Sequence, residues 1–381
     1  MATVEFRLDL PPTPLDGDLH VNRQFRDLLG LEFIDGVHNA LRYARQQKLP
    51  VYNAQGRNYY IPLPRSIGPY DALQVAGGGN FDLGITSNGG VEDSIVSPDA
   101  DEESRIVVPP SENSGLFTGY TMYYENGELI EKTNINPVGS YTARSASRKI
   151  EQTQAAFGLL AAKSAGVITP KYVGKFEYEI ADQFGESQTA ILMLVPSLGR
   201  RFDSKLLLPL NALRAGQAPA PGAEFAADLK PYYGATILPR LVSIGRGIAV
   251  THETGLTHHQ LTPGNVDALV APDNTLVPYL TDWDTMTVPA DTDRARARAL
   301  DMVLALKAAS TGLTRLVRLE AIDGKEAASL VLATTLSLLE GYYEGRGGLY
   351  AKHIKPEDAV NVASHSYGPE RSLDLIESWL A

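Results

Sequence analysis

The residue types with the clearest chemical potential lie in Thr257-His258-His259-Gln260-Leu261-Thr262-Pro263-Gly264-Asn265-Val266, followed by Leu280-Thr281-Asp282-Trp283-Asp284. Hard divalent cations select oxygen ligands. Asn265 offers an amide oxygen and Asp282 a carboxylate, and Asp284 adds a second carboxylate as a cap, an outer partner or a direct ligand. Asn265 and Asp282 are 17 positions apart. A strand–turn–strand of that length returns both to one edge of a small sheet. Gly264 lets the backbone turn closely beside Asn265.

These two segments resemble the protein kinase-like superfamily, and are most similar to its aminoglycoside and small-molecule phosphotransferase branch. That branch carries a loop His-x-Asp-Leu-x-Pro-x-Asn, and then an Asp followed by an aromatic and an acid at a strand end. His258, Leu261, Pro263, Gly264 and Asn265 fill the loop, and Asp282, Trp283 and Asp284 fill the second pattern. The resemblance implies an α+β, bilobal kinase-like fold, with a small, mainly antiparallel β lobe, a larger helical lobe and an N-terminal extension. It also implies ATP and Mg2+ as cofactors, with Asn265, Asp282 and Asp284 as the metal set. Phosphoryl transfer needs a cation across phosphate oxygens and donors placed where charge develops. His258 reads as a structural histidine holding the loop.

Gln260 departs from the pattern, because the branch places its substrate-facing carboxylate there. Glutamine cannot take the proton of an incoming hydroxyl, and general-base help of that kind is worth about 10²–10⁴-fold in rate. Three outcomes stay open. The protein is a pseudokinase, serving as a scaffold or regulator, for example in a peptide-tailoring system. Alternatively, Gln260 orients the nucleophile, or His259 or Asp267 supplies the base. Nucleotidyl (AMP) transfer is a further alternative. The acceptor is a hydroxyl-bearing small molecule, peptide or protein.

In kinases a strand lysine contacts the phosphates and pairs with a helix glutamate, which points to Lys132 and Glu151. Ser114 and Gly115 stand where a phosphate-covering turn is expected, although no Gly-x-Gly-x-x-Gly occurs. Val195 and Ser197 fall at the expected hinge, with Met193 just before it.

Other chemistries fit poorly. His252-Glu253 lacks a second histidine at the spacing of a helical zinc motif, since Leu256 occupies that place. No Gly-x-Ser-x-Gly elbow occurs. The absence of cysteine excludes thiolate metal sites, disulfides and cysteine nucleophiles.

The elements that must position these residues follow from periodicity. Asn22–Gln47 carries apolar residues at helical spacing, and Lys48–Ile61 reads as a turn and a strand. The acidic, glycine-punctuated stretch 81–103 reads as a linker. Leu116–Tyr124 and Leu129–Asn134 flank Asn126-Gly127, a hairpin signal. A helix is expected over 143–165, strands over 171–180 and 189–195, and a helix over 232–254. Short strands follow near 268–270 and 277–280, then helices over 294–309 and 325–343. The expected division is 1–103 as extension and linker, 104–195 as small lobe and 196–381 as helical lobe.

The 381 residues carry 34 Lys+Arg against 45 Asp+Glu, a net charge of −11. That balance argues against a nonspecific nucleic-acid binder or an anionic-membrane binder. The N-terminus lacks the layout of a signal peptide, and no run of 18 apolar residues occurs, so a cytoplasmic location is expected.

Overall fold

The computed structural model describes residues 17–42, 52–55, 58–77, 95–96, 107–108, 118–125, 128–135, 141–162, 166–181, 187–196, 233–262, 264–318, 324–345, 354–363 and 366–380. It is a mixed α/β protein with a curled antiparallel sheet and several helices. The chain divides into two compact units. The first comprises Met1–Thr121, Glu131–Ala155 and Pro170–Gly199, and the second Met122–Ile130, Ala156–Thr169 and Arg200–Ala381.

The first unit opens with β1 (Gly17–Val21), α1 (Arg23–Leu29) and α2 (Leu31–Arg42). The Asn22 side chain caps α1 by accepting from Gln24 N–H at 3.0 Å. Gly30, at φ +81°, splits the single helix expected over 22–47 into two. Next come β2 (Tyr52–Gln55), β3 (Asn58–Ile67), β4 (Tyr70–Ala76), β5 (Ile95–Val96) and β6 (Val107–Val108). Further along the chain are β7 (Thr118–Glu125), β8 (Glu128–Ile135), β9 (Tyr141–Thr142), α3 (Ala143–Ala162), β10 (Lys171–Ala181) and β11 (Ser187–Val195), of which β7, β8 and α3 lie partly in the second unit.

The main sheet runs β1-β10-β11-β4-β3-β2, with β9 also pairing β11. Its centre is β11, buried from Thr189 to Val195, beside β4 with Leu73 opposite Leu194 and Val75 opposite Leu192. Apolar residues on both faces suit a central strand. One face carries Ala76, Ile191 and Met193 against Tyr141 and Ala146. The other includes Phe176, with the His38 ring 5.7 Å away.

Two expectations change here. Residues before 104 are not an appendage to the sheet, because β1, β3 and β4 are paired within it. The 118–135 hairpin forms as expected but stands as its own two-stranded ladder, and β4 is the strand beside β11. The physical reason is burial, since residues 72–76 are all buried and, apart from Gln74, present small or apolar side chains to both faces.

In the second unit a π-helical turn (Tyr233–Ile237) leads into α4 (Leu238–Glu253), then β12 (Val266–Val270) and β13 (Leu276–Leu280). A 3-10 turn (Trp283–Thr285) precedes α5 (Arg294–Arg318), α6 (Gly324–Gly345), α7 (Pro356–Ala363) and α8 (Pro369–Leu380). One hydrophobic core joins Ile244, Ile248, Leu261, Leu280, Trp283, Leu306, Leu339 and Trp379. Glycines bring α4 and α6 into backbone contact: a Cβ on Gly341 would lie 1.8 Å from Val242 O, and one on Gly245 2.0 Å from Leu338 O. Among the described residues, no helix is long and apolar enough to cross a membrane.

Candidate functional site

The site is built on the loop between α4 and β12 and on the residues that follow β13. The helix α4 stops at Gly255, whose φ of +87° suits glycine, and the chain then turns back through Thr257. Thr257 and Thr287 exchange backbone hydrogen bonds of 3.0 Å each way, which fastens the loop to the segment beyond Asp282.

Asp301 of α5 holds the loop from beneath. Its Oδ2 accepts from the His258 N–H at 2.7 Å and its Oδ1 from the His259 N–H at 2.6 Å. His252 Nε2 lies 3.1 Å from Oδ2. The carboxylate is fully buried. Burial alone would raise its pKa, but the hydrogen bond from His252 and the neighbouring histidines hold it below the usual carboxylate range, so it is anionic. His252 Nδ1 in turn meets Tyr342 Oη at 2.8 Å.

His258 occupies a structural position. Its Nε2 donates to Thr281 O at 2.8 Å, its Nδ1 accepts from the Gln260 N–H at 3.3 Å, and its ring centroid lies 4.6 Å from that of Trp283. Thr285 Oγ1 donates to His258 O at 2.7 Å. Those bonds define one neutral tautomer.

His259 adopts φ +60° and is buried, with Nε2 at 2.8 Å from Thr257 Oγ1 and 2.6 Å from Thr287 Oγ1. Burial, against the opposing pull of Asp301, lowers its pKa and keeps it neutral. Asp267 is also withdrawn from the loop: it is fully buried, with Arg240 Nη1 3.5 Å from its Oδ1. Gln260 is half-buried.

Asn265 and Asp282 come to the same end of the β12–β13 hairpin. The register pairs Val266 with Leu280, and the Thr281 N–H donates to Asn265 O at 2.9 Å. Asp282 is therefore one residue beyond the position opposite Asn265. Asn265 Nδ2 donates to Gln260 O at 3.0 Å, which commits the amide nitrogen to the loop, so Oδ1 is the amide atom that a cation would meet. Asp282 adopts a left-handed backbone, φ 68° and ψ 57°. Such a conformation in a residue other than glycine is uncommon, and it clusters at functional sites. The donor set, an amide oxygen and a carboxylate, fits Mg2+, which binds through one or two protein ligands plus phosphates and water. Among the described residues, no three His, Cys, Asp or Glu side chains gather as a metal cage.

Asp284 has its backbone in the 3-10 turn, and its side chain lies outside the described residues. Lys132 is on β8, with its side chain likewise outside them. Glu151 is exposed on α3, whereas Lys149, two residues earlier, is buried with Nζ 5.5 Å from the Tyr141 ring. Val195 is buried at the end of β11 opposite Ala72, and Met193 is buried opposite Gln74. Ser114, Gly115 and Ser197 lie outside the described residues. Sequence reasoning missed Asp301. Its signal was a lone acid inside the apolar run Ala299-Leu300-Asp301-Met302-Val303.

No family model and no curated protein matches this chain. Among solved structures, it is similar to WaaP in complex with acyl carrier protein, at 10% identity and a TM-score of 0.35, over 94% of this chain and 99% of that one. It is similar to a glucosamine kinase at 13% identity and a TM-score of 0.30, over 86% and 91%. The aerobactin synthetase IucC from a hypervirulent pathotype of Klebsiella pneumoniae aligns at 11% identity and a TM-score of 0.34, over 64% of this chain and 51% of that one.

Proposed function

We propose that the chain is a kinase-like phosphotransferase that uses Mg2+ and ATP and acts on a hydroxyl-bearing small molecule, peptide or protein. The observation that supports it is the hairpin register, which brings Asn265 and Asp282 to one end of β12–β13. When bound, Mg2+ would neutralise phosphate charge as the terminal phosphoryl group transfers. The chain's own part is placement. Asp301 fixes the backbone at His258 and His259, His258 ties the loop to Thr281, and Asn265 ties itself to Gln260 O.

The test is a thermal-shift and hydrogen-exchange comparison with and without Mg·ATP. The expected result is a raised Tm and protection of residues 257–284 in the wild type, both lost in Asp282→Ala. No shift and no protection in the wild type would overturn the proposal.

A second reading, a nucleotide-binding scaffold without turnover, draws on one feature: the two residues nearest the expected base position are a glutamine and a buried, doubly bonded histidine. Binding without ADP release would favour it. Intact-mass analysis of labelled product separates an added phosphate from an added AMP.

A further inference from the structure

Within residues 257–262 the backbone is well satisfied at the loop's centre. The His258 and His259 N–H groups reach Asp301, the Gln260 N–H reaches His258 Nδ1, and Gln260 O accepts from both Thr262 N–H and Asn265 Nδ2. Two side-chain atoms of the loop are nevertheless buried with no hydrogen-bond partner, His259 Nδ1 and Gln260 Oε1. An acceptor cut off from both water and protein is unfavourable and rare in native structures, where it marks strain, a bound water or ion, or a functional contact. The backbone of Gln260 is pinned at both its N–H and its C=O, so the orphaned oxygen does not result from a loose loop. The terminal torsion of glutamine is soft. The amide can therefore turn toward an arriving donor while the main chain stays fixed.

We infer that Gln260 Oε1 is the docking point of the acceptor hydroxyl: it accepts that group's hydrogen bond and aims its oxygen without taking its proton. The inference rests on the phosphotransferase reading and assigns the substrate-orienting atom within it. An amide is not a usable base at neutral pH. The loop's other candidates are set further back, since His259 is fully buried where Gln260 is half-buried, and Asp267 is buried against Arg240. The proton must then leave with the transferred group. The acceptor oxygen bonds to the γ-phosphorus as the bridging bond to the β-phosphate breaks. ADP departs with that electron pair, and the hydroxyl proton passes to a γ-phosphoryl oxygen. The product is a phosphate monoester, or inorganic phosphate when water is the acceptor.

The experiment uses the full chain with Mg·ATP and water as the hydroxyl donor. It measures ADP release, Mg·ATP affinity by calorimetry, and hydrogen exchange over 257–265. Gln260→Ala is expected to lower kcat by about 10²-fold, the cost of a misaimed nucleophile, with affinity and loop protection unchanged. Gln260→Glu retains an acceptor oxygen at the same reach, and its turnover is expected to stay within about tenfold of wild type. His259→Gln keeps a polar partner for the threonines and is expected to retain turnover within a few-fold. Gln260→Ala with wild-type turnover, or His259→Gln losing as much as Gln260→Ala, would overturn the inference and, in the second case, make His259 the base. Wild-type binding of Mg·ATP without ADP release would overturn it while leaving nucleotide binding standing. Absence of binding would remove the phosphotransferase reading and this inference together.

Discussion

Replacing Asp301 with alanine gives the most informative perturbation of the site's foundation. Its carboxylate accepts two backbone N–H groups at 2.7 and 2.6 Å and lies 3.1 Å from His252 Nε2, all fully buried. Asp301→Ala strands both N–H groups and removes the carboxylate partner of His252 Nε2. Stranding a buried donor costs about 1–3 kcal/mol, and more where the lost acceptor is charged, as this carboxylate is. The donors share one carboxylate, so these costs overlap, and we expect a total loss of about 3–5 kcal/mol. That is a large part of the roughly 5–15 kcal/mol that stabilises a domain. The two tryptophans of the chain, Trp283 and Trp379, are both buried in the core of the second unit, so their fluorescence reports on that unit directly. With a urea slope of about 1–3 kcal/mol/M, the midpoint should fall by at least about 1 M. Hydrogen exchange at His258 and His259 should rise with it. A midpoint within about 0.3 M of wild type, with both amides still protected, would refute the assignment of Asp301 as the loop's anchor.

Other expectations concern pH, packing and strain. Because the folded pKa of Asp301 lies below its unfolded value, its contribution is present above about pH 4 and is lost as pH falls through the folded value. His259 also has a lowered folded pKa, so the unfolded chain binds more protons below about pH 6.5 and stability should decline on acidification from there, a decline that His259→Gln reduces in urea titrations at pH 5 and pH 8. Gly341→Ala forces a methyl group against Val242 O and should cost about 1–3 kcal/mol or more, read as a drop in Tm. Asp282→Gly relieves the left-handed backbone while removing the carboxylate, so the chain should still fold cooperatively while the Mg·ATP-induced shift in Tm disappears.

Much of the fold was legible because hydrophobic periodicity and turn chemistry are local signals. The two hairpin strands, the helix after Tyr141, the paired strands before Pro196 and α6 lie within a few residues of expectation, α4 is preceded by a π-helical turn from Tyr233, and α5 starts where expected but runs on to Arg318. The partnership of strands was not legible. Nothing local distinguishes β4, which joins β11, from β8, which pairs with β7, because that choice depends on which strand fills the buried centre of the sheet. The meeting of Asn265 and Asp282 at one end of a short hairpin was readable from their spacing, and the register bears that placement out. Asp301 was not, since it lies some 40 residues downstream on a separate helix and reaches the loop only through tertiary packing.

The central claim is that Asn265 and Asp282 hold one divalent ion together with a nucleoside triphosphate. Crystals grown with Mn2+ and a non-hydrolysable ATP analogue test it directly through the anomalous signal of the metal. A peak is expected about 2.0–2.3 Å from both Asn265 Oδ1 and a carboxylate oxygen of Asp282, with phosphate oxygens completing the shell. A metal that binds elsewhere, or that contacts neither residue while the nucleotide is present, would contradict it.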